Sequence, residues 1–187
     1  MQLRVRVDLY AASDSQKQSK KKNRDIRIRI IDDLLYEPAV ELYRRYQVER
    51  HGASSVPETQ DVQMFLGMSP VASRLMLYEL DGKLIGAGWI DILPDGLSSV
   101  YFAFDTQESK RSLGIFSITK ELELAKTLGK TWLYLGYFVP GSRTMEYKAH
   151  FAPHEILIGG TWVTSPSRET LEEAGSLLSE NQETPSE

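Results

Sequence analysis

Several residue groups in this chain have the types and spacing to do chemistry. The run Arg111-Ser112-Leu113-Gly114 falls where an apolar stretch, SVYFAF, gives way to an amphipathic one, ITKELELA. A strand-to-helix junction offers free backbone N–H groups and the positive end of a helix dipole, which suits an anion such as a phosphate. The same residues also read as a plain helix start with a satisfied arginine, because short glycine signatures are weak. A second group, Lys17, Lys20, Lys21, Lys22, Arg24, Arg27 and Arg29, is set against one acid, Asp25. It fits a phosphate-tracking patch for RNA, and on composition alone it fits a solvated charged face better. Asp91 and Asp95 flank Pro94, and either could hold a cationic amine, although Asp95 also suits the turn itself. Tyr43, Tyr46, Tyr101, Tyr134, Tyr137 and Tyr147 supply phenols, most of them expected in a core with a hydrogen-bonded tip, one or two free to stack on a base. His150 and His154 lie four apart, but Pro153 breaks a helix between them, so no metal site is expected.

The elements that must position these groups follow from periodicity. Leu3, Val5, Val7 and Leu9 alternate as a strand, and Ser13 is placed to cap a basic helix over 14–22. Ile26, Ile28 and Ile30 mark a second strand. Pro38 suits the first turn of a helix reaching Gly52, with Ala39, Leu42, Tyr43 and Tyr46 as its stripe, and another helix starts at Pro57. Strands are expected over 75–80, 83–92 and 97–104, joined by Asp81-Gly82 and Pro94-Asp95-Gly96 turns. A long helix over 108–128 buries Ile115, Ile118, Leu122 and Ala125 and stops at Gly129; a strand over 131–138, a short helix over 144–150 and a last strand over 156–163 follow. Gly86 and Gly88 share one face of their strand, which calls for a ligand or another backbone close by. The pattern predicts one α/β (α+β) domain over 1–165, a mixed central sheet flanked by helices, and an acidic, partly disordered tail over 166–187 after one more short helix.

Composition narrows the class. The 187 residues are 41% hydrophobic and 26% charged, with net charge −4 and no cysteine. Disulfides, thiolate-held zinc and iron–sulfur clusters are therefore excluded within this chain. No apolar run approaches the roughly 18 residues of a membrane span, and a cytoplasmic protein without a membrane partner is the simplest reading.

The runs SVYFAFD, RSLGIFSI, LYLGY and SRTMEYKAHFAPHEIL, together with RVRVDLYAASDSQKQSKKKNRDIRI, ELYRRYQVERHG and LIGAGWIDILPDGLSSVYF, resemble the aminoacyl-tRNA–protein transferases, the arginyltransferase and aspartate/glutamate leucyltransferase family. The likeness covers residues 3–163 in the family's order. It implies the fold of GCN5-related N-acetyltransferases (GNAT), aminoacyl-tRNA as co-substrate with no other cofactor, transfer of Arg or Leu, and the α-amine of a peptide or protein as acceptor. By this likeness Arg111, Ser112 and Gly114 would bind a terminal tRNA phosphate, and Lys17, Lys20, Lys21, Lys22 and Arg24 would follow the acceptor stem. Asp91 or Asp105 would hold the amine, and Tyr137, Tyr147 and Lys148 would line the reaction centre between the strands 97–104 and 131–138, with Lys148 facing an acidic acceptor residue. Family members carry a cysteine-clustered region ahead of the first strand seen here, so a separate chain supplying that region is an expected partner. Asp105 is followed by Thr106 where the family has proline, and Arg143-Thr144 replaces its Pro-Lys. Two alternatives stay open. One is a coenzyme A-dependent acetyltransferase, against which Phe116 counts because its ring would crowd a diphosphate. The other is a non-catalytic tRNA- or peptide-binding remnant.

Overall fold

The structure, a computed structural model, describes residues 1–52, 57–142 and 145–180. Among these residues one mixed sheet runs in the order β2-β3-β4-β5-β6-β1-β7-β8, built from β1 (Gln2–Arg6), β2 (Arg27–Ile31), β3 (Ala72–Leu80), β4 (Lys83–Ile92), β5 (Gly96–Phe104), β6 (Trp132–Tyr137), β7 (His154–Ile158) and β8 (Thr161–Thr164). Every neighbouring pair is antiparallel except β5 and β6. The helices are α1 (Asp14–Lys22), α2 (Glu37–His51), α3 (Thr59–Val62, continued by a wider turn over Gln63–Gly67), α4 (Leu113–Thr127) and α5 (Arg168–Glu180).

Alternation across the strands sorts the helices into two layers. Met76 and Tyr78 of β3 pack with Leu3 and Val5 of β1 and with Leu113, Phe116, Ile118, Leu122 and Ala125 of α4. Leu75 and Leu77 point the other way, with Ala87, Trp89 and Ala103, onto Ala39, Leu42 and Tyr43 of α2 and Val62 and Leu66 of α3. Local signals explain the ends. Ser13 and Gln16 form a reciprocal capping box at α1. Asp81 and Gly82 both take positive φ, 49° and 80°, and close the β3–β4 hairpin with a two-residue turn.

Three expected elements differ. The last strand is a hairpin, β7 and β8, because Gly159 and Gly160 adopt positive φ and turn the chain back. The helix expected from residue 108 is two pieces: a 3₁₀ turn over Thr106–Arg111 and then α4, separated by Ser112 in the left-handed region. The short helix over 144–150 is a 3₁₀ turn over Glu146–His150. Arg143, Thr144 and the tail from 181 onward lie outside the described residues.

Candidate active site

The sheet opens between β5 and β6. These parallel neighbours pair at three positions, Gly96↔Trp132, Leu97↔Leu133 and Ser98↔Tyr134, and no further. At the closed end a Cβ on Gly96 would stand 2.7 Å from the Trp132 carbonyl oxygen, so only glycine permits that approach. Just past it, the register of β5 against β4 shifts between Trp89↔Tyr101 and Ile90↔Ser99, leaving Val100 as an extra residue. A bulge bends its strand, and this one begins directly after Ser98, the last residue of β5 paired with β6.

Lys148 occupies the opening. Its Nζ donates to the Leu135 carbonyl at 2.8 Å and to the Tyr137 carbonyl at 2.9 Å. These carbonyls lie two residues apart on the same edge of β6, beyond the last pair with β5. Tyr147, adjacent in the chain, places its hydroxyl 3.8 Å from where a Cβ on Gly114 would stand, so it reaches the first turn of α4. Tyr137 is 72% exposed at the mouth.

Beneath the opening lies Glu121 of α4, fully buried, with neither carboxyl oxygen bonded among the described residues. The hydroxyl of buried Tyr78 is likewise unpaired. A Cβ on Gly88 would stand 3.4 Å from the Phe102 ring and 3.8 Å from Glu121 Oε1, and one on Gly86 would press on Tyr78 and Phe102 at 3.2 Å. The two glycines thus make room for aromatic rings and a carboxyl group, rather than for a ligand or another backbone. Burial pushes the Glu121 pKa up to about 8, against Ser99 and Lys148, which favour its charged form. Burial lowers the Lys148 pKa, and Glu121 opposes that shift. Tyr147 is pushed up to about 12, mainly by burial and then by Glu121 and Tyr46, with Arg50 opposing.

The far wall is aromatic. Tyr101 meets Tyr43 edge-on at 5.1 Å, Phe65 at 5.8 Å and Tyr46 at 6.4 Å between ring centroids. Tyr46 also lies 5.0 Å from Phe104. Tyrosines 43, 46 and 101, expected only as a supply of phenols, are thereby brought to one side of the opening.

The other expected site residues scatter. Asp91 pairs with Ser98 at the closed end and accepts from the Ser69 and Ser73 hydroxyls at 3.1 and 2.5 Å. Asp105 follows the opposite end of β5, roughly 20 Å away at strand rise. It is buried, pairs with Lys83 at 2.7 Å and Arg45 at 3.7 Å, and accepts from the Gln107 N–H. Its pKa stays below the usual carboxylate range because the Lys83 bond and its other partners outweigh burial, the largest single influence. The structure therefore does not bring Asp91 and Asp105 together. Asp95 is a turn residue that accepts from the Tyr134 hydroxyl at 2.9 Å.

At the start of α4, the Arg111 guanidinium is held by Asp25 at 3.0 and 3.1 Å and by Glu108 at 2.9 Å. Helix α1 caps this corner: Asn23 donates to the Arg111 carbonyl, Ser19 to the Ser112 carbonyl and Lys22 to the Lys110 carbonyl. Lys17 pairs with Asp14 and Lys20 with Glu123, while Lys21 and Arg24 stand exposed. Phe116 does not crowd this corner. Its ring is 1% exposed and lies edge-on to Tyr78 in the core, because residue 116 falls on the inward stripe of α4.

Glu121 is the residue that sequence reasoning passed over. Its signal was a charge beside Ile118, Leu122 and Ala125, on the apolar stripe of α4. Among the described residues no group of histidine or acidic side chains is placed to hold a metal ion, and no helix is long and apolar enough to cross a membrane.

A mixed sheet splayed between parallel β5 and β6 and flanked by helices defines a GNAT-like acyltransferase architecture. Three solved structures share the fold at 11–12% identity: the C-terminal domain of a putative lysylphosphatidylglycerol synthetase from Agrobacterium fabrum (TM-score 0.52, over 72% of this chain and 45% of that one), L-PGS from Bacillus licheniformis (0.54, over 72% and 44%) and a GCN5-related glucosamine N-acetyltransferase region of a fungal β-N-acetylglucosaminidase (0.53, over 87% and 19%). The family model for the C terminus of arginine-tRNA-protein transferase matches residues 38–158. Aspartate/glutamate leucyltransferases of Aeromonas salmonicida (39% identical, over 86% of this chain and 68% of that protein), Aeromonas hydrophila (38%, 89% and 70%) and Acinetobacter baylyi (38%, 85% and 60%) are similar along most of its length. The chain belongs to the aminoacyl-tRNA–protein transferase family, a family of aminoacyltransferases, and spans 60–70% of the length of these relatives.

Proposed function

We propose that this chain moves an amino acid from aminoacyl-tRNA to the N-terminal α-amine of a peptide or protein, with the ester and the amine meeting in the opening between β5 and β6. The observation that carries this reading is that opening, in a chain of this family, with Lys148 at its edge and both Tyr147 and Glu121 beside it. The amine attacks the ester carbonyl carbon, an amide bond forms, and the bond to the terminal ribose oxygen breaks. An ester is already activated, so the fold's work is to align the partners and steady the charge that develops.

An α-amine of pKa near 7.7 to 8.0 is partly unprotonated at neutral pH, so modest basic help suffices. The aromatic wall of Tyr46, Tyr101 and Phe104 offers a face for the terminal adenine. Among the described residues of the basic run, exposed Lys21, Arg24 and Arg27 make no side-chain ion pair; Lys21 and Arg24, at the end of α1, follow the acceptor stem. Arg111, already held by two carboxylates, positions α1 against α4 and does not itself take up phosphate. The relatives' names make leucine the first donor to try and N-terminal aspartate or glutamate the first acceptors. The test is incubation with a pool of charged tRNAs and a library of peptide N-termini, read by mass. A gain of one aminoacyl residue on the peptide is expected, and tRNA binding without any transfer would leave the chain a binding module.

A further inference from the structure

We propose that Lys148 is the general base of the transfer, acting as a neutral amine, and that Glu121 is the positioning residue that supports it from below. This rests on the transfer reading above. A neutral lysine amine has two N–H donors and one lone pair. Two donor positions on Lys148 are used, by the carbonyls of Leu135 and Tyr137, and no third partner bonds Nζ among the described residues. The strand edge therefore fixes the nitrogen and leaves one tetrahedral position to take a proton, at the place where β6 has parted from β5.

Burial works against the charged form of Lys148 and lowers its pKa, and Glu121 and the two carbonyl acceptors work against that shift. Glu121 of α4 faces Lys148; Tyr78 of β3 faces Glu121 in turn, and Tyr147, beside Lys148, faces Tyr46 and Arg50 of α2. Glu121 is the one acidic side chain among these groups; Ser99 lies near enough to favour its charged form, and neither carboxyl oxygen makes a well-formed hydrogen bond among the described residues. A fully buried carboxyl group without a partner is rare unless the site uses it. Once ionised, above about pH 8, Glu121 steadies the ammonium that Lys148 becomes. In the reaction the peptide α-ammonium gives one proton to Nζ, and the freed amine forms the C–N bond as the ester C–O bond breaks. The proton shed by the new amide nitrogen goes to the ribose oxygen, and Lys148 returns its own proton to solvent.

The test is the pH dependence of kcat with saturating peptide and charged tRNA, for the wild type, Lys148→Arg, Lys148→Met and Glu121→Gln. Arginine can still donate to strand carbonyls but stays protonated, so Lys148→Arg and Lys148→Met are both expected to lose about 100-fold or more. Glu121→Gln is expected to lose less and to alter the profile chiefly above about pH 8, where the wild-type carboxyl group is ionised and raises the Lys148 pKa. Wild-type kcat in Lys148→Arg would overturn the assignment and leave only a clamp. A second readout needs no activity: competitive acetylation of the wild-type chain across pH. Lys148 is expected to titrate below the surface lysines, and titration together with them would overturn the proposal even if no charged tRNA proved a substrate.

Discussion

At the corner before α4, Arg111 is met by Asp25, Glu108 and the Lys22 carbonyl, and the neighbouring carbonyls are taken by α1. Farther along the same helix, Glu121 is buried with both oxygens unbonded, beneath a lysine held only by strand carbonyls. The first corner reads as an anion site in the sequence, and in the structure its arginine is ion-paired and its carbonyls accept from α1. The second showed in the sequence only as a charge on the apolar stripe of α4 and as two residues named by family likeness, and it carries groups whose protonation the fold has displaced. Satisfied charges hold a protein together, whereas buried groups left without partners mark where chemistry is prepared.

The sharpest break between the two regions should come from pH. Glu121 has a folded pKa near 8, above its ordinary 4.5. The folded state thus binds this proton more tightly, so its contribution is fully present below the ordinary pKa and is lost as pH rises through about 8. At about 1.4 kcal/mol per unit the loss has a ceiling of roughly 5 kcal/mol. Urea denaturation of the wild type at several pH values should show stability falling over that window, and Glu121→Gln should flatten it.

Asp105→Asn comes next, at about 2 kcal/mol, because it leaves Lys83 and Arg45 beside a buried position without their carboxylate. Transfer by the folded fraction should fall far less than in Lys148→Arg, since the Asp105 carboxylate is taken up by Lys83, Arg45 and the Gln107 N–H. Arg111→Ala should cost about 1 kcal/mol of stability and leave the salt dependence of tRNA binding unchanged. Lys21→Ala and Arg24→Ala should each lower the slope of log affinity against log salt by about one, with stability unaffected. If Arg111→Ala changes the slope and these two do not, the corner before α4 is an anion site after all.

Much of the frame was legible. The strands bounded by the Asp-Gly and Pro-Asp-Gly turns, Ser13 at α1 and Gly129 after α4 each act through nearest neighbours and are where the pattern put them, while β1 stops at Arg6 and leaves Leu9 exposed. The break at Ser112 was missed because the amphipathic run continues past it, whereas the Gly159-Gly160 pair was a legible two-residue turn signal that the reading of one continuous strand passed over. The opening itself was anticipated between the right strands. The bulge beside it, the extra residue Val100 against Trp89 and Ile90, depends on register, which a single strand does not carry. Lys148 and Tyr147 came from family likeness, and their partners on β6 and α4 could be seen only in three dimensions.

The most direct test of the central claim is where the donor end binds. A stable mimic, 3′-leucylamino-3′-deoxyadenosine, carries an amide in place of the ester and can be titrated into the isotope-labelled chain. The account predicts NMR shifts concentrated at Ser99–Tyr101, Leu135–Tyr137 and Tyr147–Lys148. Shifts confined to Arg111 and α1, with the strand edges unmoved, would contradict it.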